Sequence, residues 1–290
     1  MLPPRPSVPD DQRGSGSYPL RFEDLSQDRR LLLETVVASV GPALWKAVLS
    51  RHAAAAAMNA DGVRPIFTRL LVDGGAARFH FPADLTASGA YELASERAAD
   101  GTIVRLYLNM WTEIEPMPDD RASPPRLFAE HVLTRPVAPP ERRRVTQVPG
   151  IEPPRTEYRQ PPVQQTLALP EGATWLETSL RADVRPNAFG LVHTDINQHV
   201  NSLVYPRLFE EAALRRFAEL GRDTRVLSRR LEITFKRPFF AGQTARIALR
   251  AFAAGERLGA VGVFVEGNES ADATFEGVRA NAYVRMWFER

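Results

Sequence analysis

Cysteine is absent from this 290-residue chain. That excludes disulfides, thiolate metal sites and cysteine nucleophiles, and it fits the reducing cytoplasm, which is the expected location. Lysine is nearly absent: Lys46 and Lys236 are the only two, and every other basic residue is arginine. With a net charge of only +2, this reads as compositional bias, and no nucleic-acid partner is expected. Arg142-Arg143-Arg144 lies in proline-rich sequence without interleaved aromatics; it reads as a solvated linker, with docking of an acidic partner as the functional alternative. No apolar run approaches the roughly 18 residues of a membrane helix, so no membrane partner is expected. Met1 to Gly16 is rich in Pro, Ser, Asp and Arg; it lacks the apolar region of a secretory signal and reads as a disordered tail, residues 1–19. No G-x-S-x-G elbow, P-loop or Rossmann glycine fingerprint occurs.

Apolar content is 44%, enough for a sizeable core. Thirteen of the 24 prolines fall between Pro116 and Pro170. Such a stretch is unsuited to helix or sheet interiors and reads as a linker over 116–170. It separates an N-terminal block, 20–115, from a C-terminal block, 171–290. In the C-terminal block, Leu176, Thr178, Leu180, Ala182 and Val184 alternate with polar residues, which predicts a strand. A helix is expected near 201–220, capped by Gly221. Strands are then expected over Leu231–Arg237, Thr244–Phe252, Leu258–Val265 and Val278–Phe288. The N-terminal block reads similarly: a helical stretch Pro42–Met58, then strands Ile66–Val72, Ala76–Phe81, Gly89–Glu96 and Ile103–Ile114. Two local matches point to duplication: Tyr107–Glu113 with Tyr283–Glu289, and Pro42-Ala43-Leu44-Trp45 with Pro206-Arg207-Leu208-Phe209. The expected architecture is α+β, with long antiparallel sheets each wrapped around one helix.

The chemistry is concentrated in His193-Thr194-Asp195-Ile196-Asn197-Gln198-His199-Val200-Asn201. An acid, an amide and an imidazole at D-x-N-x-H spacing, just before a helix, suit attack on an acyl carbonyl. Asp195 or His199 can activate water, and Asn197 can orient it. Backbone N–H groups near Asn201, Ser202 and Leu203 can hold an oxyanion, helped by the helix dipole. The bland alternative makes Asp195 and Asn201 turn and cap residues and His199 a core histidine. His193 is a weaker ligand candidate, and His52, His80 and His131 have no expected catalytic role. His193, His199 and Asp195 lack a second ligand cluster, so no metal and no cofactor is expected.

Asp195-Ile196-Asn197-Gln198-His199-Val200-Asn201, with Tyr205 and Glu211 after it, resembles the D-x-N-x-H-V-N-N-x-x-Y segment of fatty acyl-acyl carrier protein thioesterases. These belong to the hotdog superfamily. The resemblance implies a double hotdog, two such domains packed as a pseudo-dimer in one chain, existing as a monomer or a homodimer of such units. It implies catalytic roles for Asp195, Asn197 and His199, and substrate or oxyanion contacts by Asn201, Ser202, Leu203, Tyr205 and Glu211. The implied reaction is hydrolysis of an acyl-CoA or acyl-acyl carrier protein thioester, in fatty-acid or polyketide metabolism. The sequence departs from the family at Ser202, where a second Asn is usual, and in Ile233–Pro238, where some members carry a Glu. Two alternatives stay open. One is an enoyl-thioester hydratase or dehydratase, whose usual D-x-N-P-x-H spacing differs here. The other is a non-catalytic acyl-binding hotdog. The N-terminal block is expected to be degenerate: Asp24-Leu25-Ser26-Gln27-Asp28 echoes the motif but lacks the imidazole.

Overall fold

The computed structural model describes residues 2–148, 150–267 and 279–290. It divides into two compact units, meeting in sequence at Pro161 and Pro162.

In the first unit, β1 (Arg13–Pro19), β2 (Arg64–Asp73), β3 (Asp84–Arg97), β4 (Ile103–Ile114) and β5 (Arg126–Thr134) form an antiparallel sheet in the order β1-β3-β4-β5-β2. Its helical layer is broken into α1 (Leu33–Ala38), a π-helical turn over Gly41–Lys46, and α2 (Ala53–Ala60). Leu33, Val36 and Leu44 are buried there. Two glycines of β1 permit the close approach of this layer. A Cβ at Gly14 would lie 2.4 Å from the Ala43 carbonyl oxygen, and one at Gly16 2.6 Å from that of Pro42.

Several expectations are corrected here. The tail 1–19 is not disordered throughout, because β1 pairs with β3 over its whole length. The span 116–170 is not linker throughout, because β5 lies inside it. Prolines crowd both sides of Arg126–Thr134, but the nine residues themselves contain none, so every ladder donor is available. Ala76–Phe81 is a loop rather than a strand; its Ala76 and Ala77 N–H groups bond to the Ser123 carbonyl and that of Phe79 to the Arg29 carbonyl.

In the second unit, after α3 (Gln164–Leu167), come β6 (Thr174–Trp175), β7 (Arg181–Ala182), β8 (Asn187–Ala188), α4 (Val204–Glu219), β9 (Leu227–Phe235), β10 (Thr244–Ala254), β11 (Arg257–Glu266) and β12 (Ala282–Glu289). The sheet order is β9-β12-β11-β10, with β6, β7 and β8 all on the free edge of β10. Of the expected strand 176–184 only Arg181–Ala182 is strand, one of three short fragments along this edge. One interruption has a clear cause: the Glu177 carboxylate, rather than a backbone carbonyl, accepts the Ala251 N–H at 2.8 Å. Val278, the expected start of the last strand, lies outside the described residues.

Helix α4 is continuous. Pro206 sits in its first turn, where the missing N–H would be unpaired anyway. Gly221 ends it at φ +64, with the Arg222 N–H bonded to the Phe217 carbonyl at 2.8 Å. Tyr205, Phe209, Ala212, Ala213 and Phe217 form its buried face. Phe217 meets Phe288 of β12 edge-on at 5.1 Å, and Tyr205 meets Phe264 of β11 at 5.1 Å. Buried ion pairs hold the other side. Arg216 reaches Glu177 at 2.6 Å with side chains 2% and 6% exposed, and Arg215 holds Asp183 with two bonds, at 2.6 and 3.1 Å.

The order β2, β3, β4, β5 of the first unit reappears as β9, β10, β11, β12. The match of Tyr107–Glu113 with Tyr283–Glu289 therefore joins strands that are not equivalent, since β12 answers to β5. The match of Pro42–Trp45 with Pro206–Phe209 does join the equivalent helical layers.

Candidate active site

The motif forms a tight loop closed on itself at the entrance of α4. Thr194 and Val200 pair across it, the Asp195 N–H donates to the His199 carbonyl at 3.0 Å, and the Gln198 N–H donates to the Asp195 carbonyl at 2.9 Å. Gln198 takes the left-handed conformation, φ +64, that closes the turn. Neighbouring backbone pins the loop: the Asn201 N–H bonds to the His193 carbonyl at 2.8 Å and the Val200 N–H to the Phe239 carbonyl at 2.8 Å. His193 accepts the Gly190 N–H on Nδ1 at 2.9 Å, so its role is to shape the turn before the motif.

Asp195 and His199 are half-buried and Asn197 is exposed. One Asp195 oxygen, Oδ1, accepts the Asn197 N–H at 2.8 Å. Among the described residues the Asn197 and His199 side chains make no hydrogen bond, and the second Asp195 oxygen accepts none. The three groups therefore share one small loop with most of their bonding capacity unspent. The His199 imidazole stands edge-to-face with Phe240, ring centres 5.1 Å apart.

The expected oxyanion donors are sorted by the geometry. Asn201 closes the turn that enters the helix: its Oδ1 accepts the Leu203 N–H at 2.8 Å and its carbonyl the Val204 N–H at 3.0 Å. The N–H groups of Asn201 and Leu203 are thus spent. That of Ser202 is the one of the three without a partner among the described residues. Tyr205 is 2% exposed and lies against Phe235, Phe239 and Phe264. Burial pushes its hydroxyl up to about 12, opposed by a backbone hydrogen bond at Phe239. Its ring is part of the core of the second unit. Glu211 is exposed and paired with Arg215 at 3.6 Å, the helix-face role. The acid closest in sequence to Ile233–Pro238 is Glu232, committed to Arg285 at 3.6 Å. Sequence reasoning missed Phe240, because a Phe-Phe pair in Pro238-Phe239-Phe240 carries no sign that one ring turns inward and the other toward the motif.

The first unit holds the same loop. The Ser26 N–H donates to the Arg30 carbonyl at 2.8 Å, the Arg29 N–H to the Ser26 carbonyl at 2.9 Å, and the Leu32 N–H to the Asp24 carbonyl at 2.9 Å. Arg29 has φ +66. Ser26, Asp28 and Arg30 thus occupy the positions of Asp195, Asn197 and His199. Their side chains bond to one another: Ser26 Oγ to Asp28 at 2.6 Å and Arg30 Nε to Asp28 at 2.5 Å. No imidazole is present in this loop.

Residues 197–271 match the Thioesterase superfamily. A search of curated proteins finds no match to the sequence. Among solved structures, an acyl-ACP thioesterase from Bacteroides thetaiotaomicron superposes with TM-score 0.60 at 11% identity, covering 97% of this chain and 99% of the other. The 12:0-ACP thioesterase from Umbellularia californica superposes with TM-score 0.56 at 12% identity, covering 98% and 99%. At such identities the likeness establishes the fold over nearly the whole chain. The protein is a double hotdog whose second unit carries the match to the Thioesterase superfamily.

Proposed function

We propose that the chain hydrolyses an acyl thioester to a free acid and a thiol, with Asp195, Asn197 and His199 as its catalytic residues. The observation that carries this reading is the pair of equivalent loops. In the second unit the acid, amide and imidazole stand half-exposed with little bonding of their own; in the first, the equivalent side chains satisfy each other. Asp195, through its second oxygen, polarises a water molecule, and Asn197 orients it. The water oxygen attacks the thioester carbon, and the carbonyl oxygen becomes an oxyanion facing the Ser202 N–H and the positive end of α4. The C–S bond then breaks, and the thiolate takes a proton that His199 relays from the attacking water.

Both relatives named above are acyl carrier protein thioesterases, which favours a carrier-bound acyl group over acyl-CoA as substrate. The lack of cysteine favours a cytoplasmic setting, and fatty-acid metabolism is the corresponding context. A chain that carries both hotdogs needs no second copy to complete the pair, so a monomer, or a dimer of such double units, is proposed. Release of thiol from a panel of acyl-CoA and acyl-carrier substrates, read with a thiol reagent, tests the reaction. Hydrolysis by the wild type that is lost in Asp195→Asn supports it. Substrate binding without turnover on the whole panel sinks it in favour of an acyl-binding protein, and hydration of an enoyl thioester in favour of a hydratase.

A further inference from the structure

We propose that Phe240 is a positioning residue for the His199 imidazole; the proposal rests on the hydrolytic reading of the motif. An imidazole that moves protons is ordinarily oriented by a hydrogen bond on its second ring nitrogen. His199 makes none among the described residues. Its ring instead faces Phe240 at 5.1 Å with the planes at 83°, the edge-to-face arrangement of a favourable aromatic pair.

The backbone sets this contact from both sides. His199 and Phe240 are bridge partners, and the Val200 N–H is held by the Phe239 carbonyl. Phe239 is fully buried against Phe189 and Tyr205, so its neighbour must turn the other way. The turn beyond is clamped: Gln243 Oε1 accepts the Phe240 N–H at 2.7 Å, and Gln243 Nε2 donates to Glu266 at 2.6 Å. Phe240 stays 43% exposed, whereas Phe239 beside it in the chain is fully buried. In the first unit, where Arg30 replaces His199, the side chain is oriented by Asp28 instead. Each loop thus fixes its third side chain, one by an ion pair and one by a ring.

An edge-to-face contact of this kind biases a rotamer population about 2- to 10-fold. Phe240→Leu should therefore lower kcat by about that factor with KM unchanged. Phe240→Tyr, which keeps the ring, should behave as wild type. In a His199→Ala background, Phe240→Leu should cost nothing further. An equal loss in that background, or a rise in KM alone, overturns the proposal, the latter marking Phe240 as a substrate contact. Nuclear magnetic resonance of the His199 ring protons gives a reading independent of turnover. Their ring-current shifts should collapse in Phe240→Leu and persist in Phe240→Tyr; unchanged shifts in Phe240→Leu overturn the positioning role. If the wild type hydrolyses no thioester, the proposed function fails, while the resonance experiment still decides the contact.

Discussion

Two loops in this chain share one backbone and differ in what their side chains are free to do. Asp24 to Leu32 and His193 to Asn201 close with the same three backbone hydrogen bonds and carry a left-handed residue, Arg29 or Gln198, at the same position. In the first, serine, aspartate and arginine saturate one another. In the second, aspartate, asparagine and histidine keep most of their donors and acceptors. Loop geometry is shared by both units and does not by itself decide what the side chains do. What differs is whether its polar groups are spent within the loop or left for a ligand. The helices behind the loops differ in the same sense: α4 runs unbroken and is held by buried ion pairs, whereas the first unit's helical layer is broken by a π-helical turn.

The largest expected effect tests the loops directly. Asp195→Asn keeps shape and removes charge; it should lower kcat on the order of 10²–10⁴-fold with an unchanged melting temperature. Asp24→Ala in the twin loop should lower stability, because the buried carboxylate bonds Arg21 and Thr35, yet leave turnover per folded molecule intact. Similar kinetic losses in both variants would erase the distinction between the loops. The double variant Asp195→Asn with His199→Ala should be little worse than the poorer single one if the residues act as a unit.

The helix comparison is next in size. Arg216→Leu leaves the buried Glu177 without its nearest cation, with only the more distant Arg181 at 3.9 Å, and should cost about 3–5 kcal/mol in urea unfolding. A cost under about 1 kcal/mol, the level of an exposed pair, would mean that α4 is held by its apolar face alone.

A third prediction sets a closed imidazole against the open one of the motif. His131 is buried in the first unit between Phe67, at 4.9 Å, and Trp45, at 6.0 Å. Burial lowers its pKa from 6.5 to about 4, opposed by its hydrogen bond to the Leu108 carbonyl. The folded state therefore resists protonation that the unfolded chain accepts. Stability is full above pH 6.5, falls as pH drops below that value, and levels off beneath about 4, a total of about 3 kcal/mol. Denaturant titrations from pH 7 to 4 should show that slope in the wild type and lose it in His131→Gln; identical slopes would refute it.

The smallest effect concerns packing. Gly14→Ala places a methyl group against the Ala43 carbonyl and should cost about 1–3 kcal/mol, read as a lower melting temperature. No loss would mean that the π-helical turn yields easily, in contrast with α4.

Much of this was legible in the sequence because it is local. The motif, the helix with its Gly221 end, and strands such as Ile103–Ile114 follow from spacing, capping and alternation within a few residues. The twin loop shows in the sequence only as an echo at Asp24–Asp28 that is two residues out of register, since Ser26 and not Asp24 stands at the Asp195 position. Strand β5 is hidden in the sequence because flanking prolines mask a proline-free run, and Tyr283–Glu289 resembles β4 in sequence although it answers to β5 in the fold. The fragmentation of β6 to β8 was equally hidden, since a distant carboxylate, Glu177, takes a ladder donor of β10.

By itself the sequence determined the chemistry on offer: an acid, an amide and an imidazole in one loop, no thiol, and two copies of a helix-and-sheet pattern. Only the tertiary structure decided which of those groups remain unspent. It turned Tyr205 into core, spent the Asn201 N–H on the His193 carbonyl and the Leu203 N–H on the Asn201 side chain, brought Phe240 to His199 across 41 positions of chain, and placed Arg216 on Glu177 across 39. The physical reason is that hydrogen-bond satisfaction and burial depend on neighbours distant in sequence, while turn closure and periodicity depend only on adjacent ones.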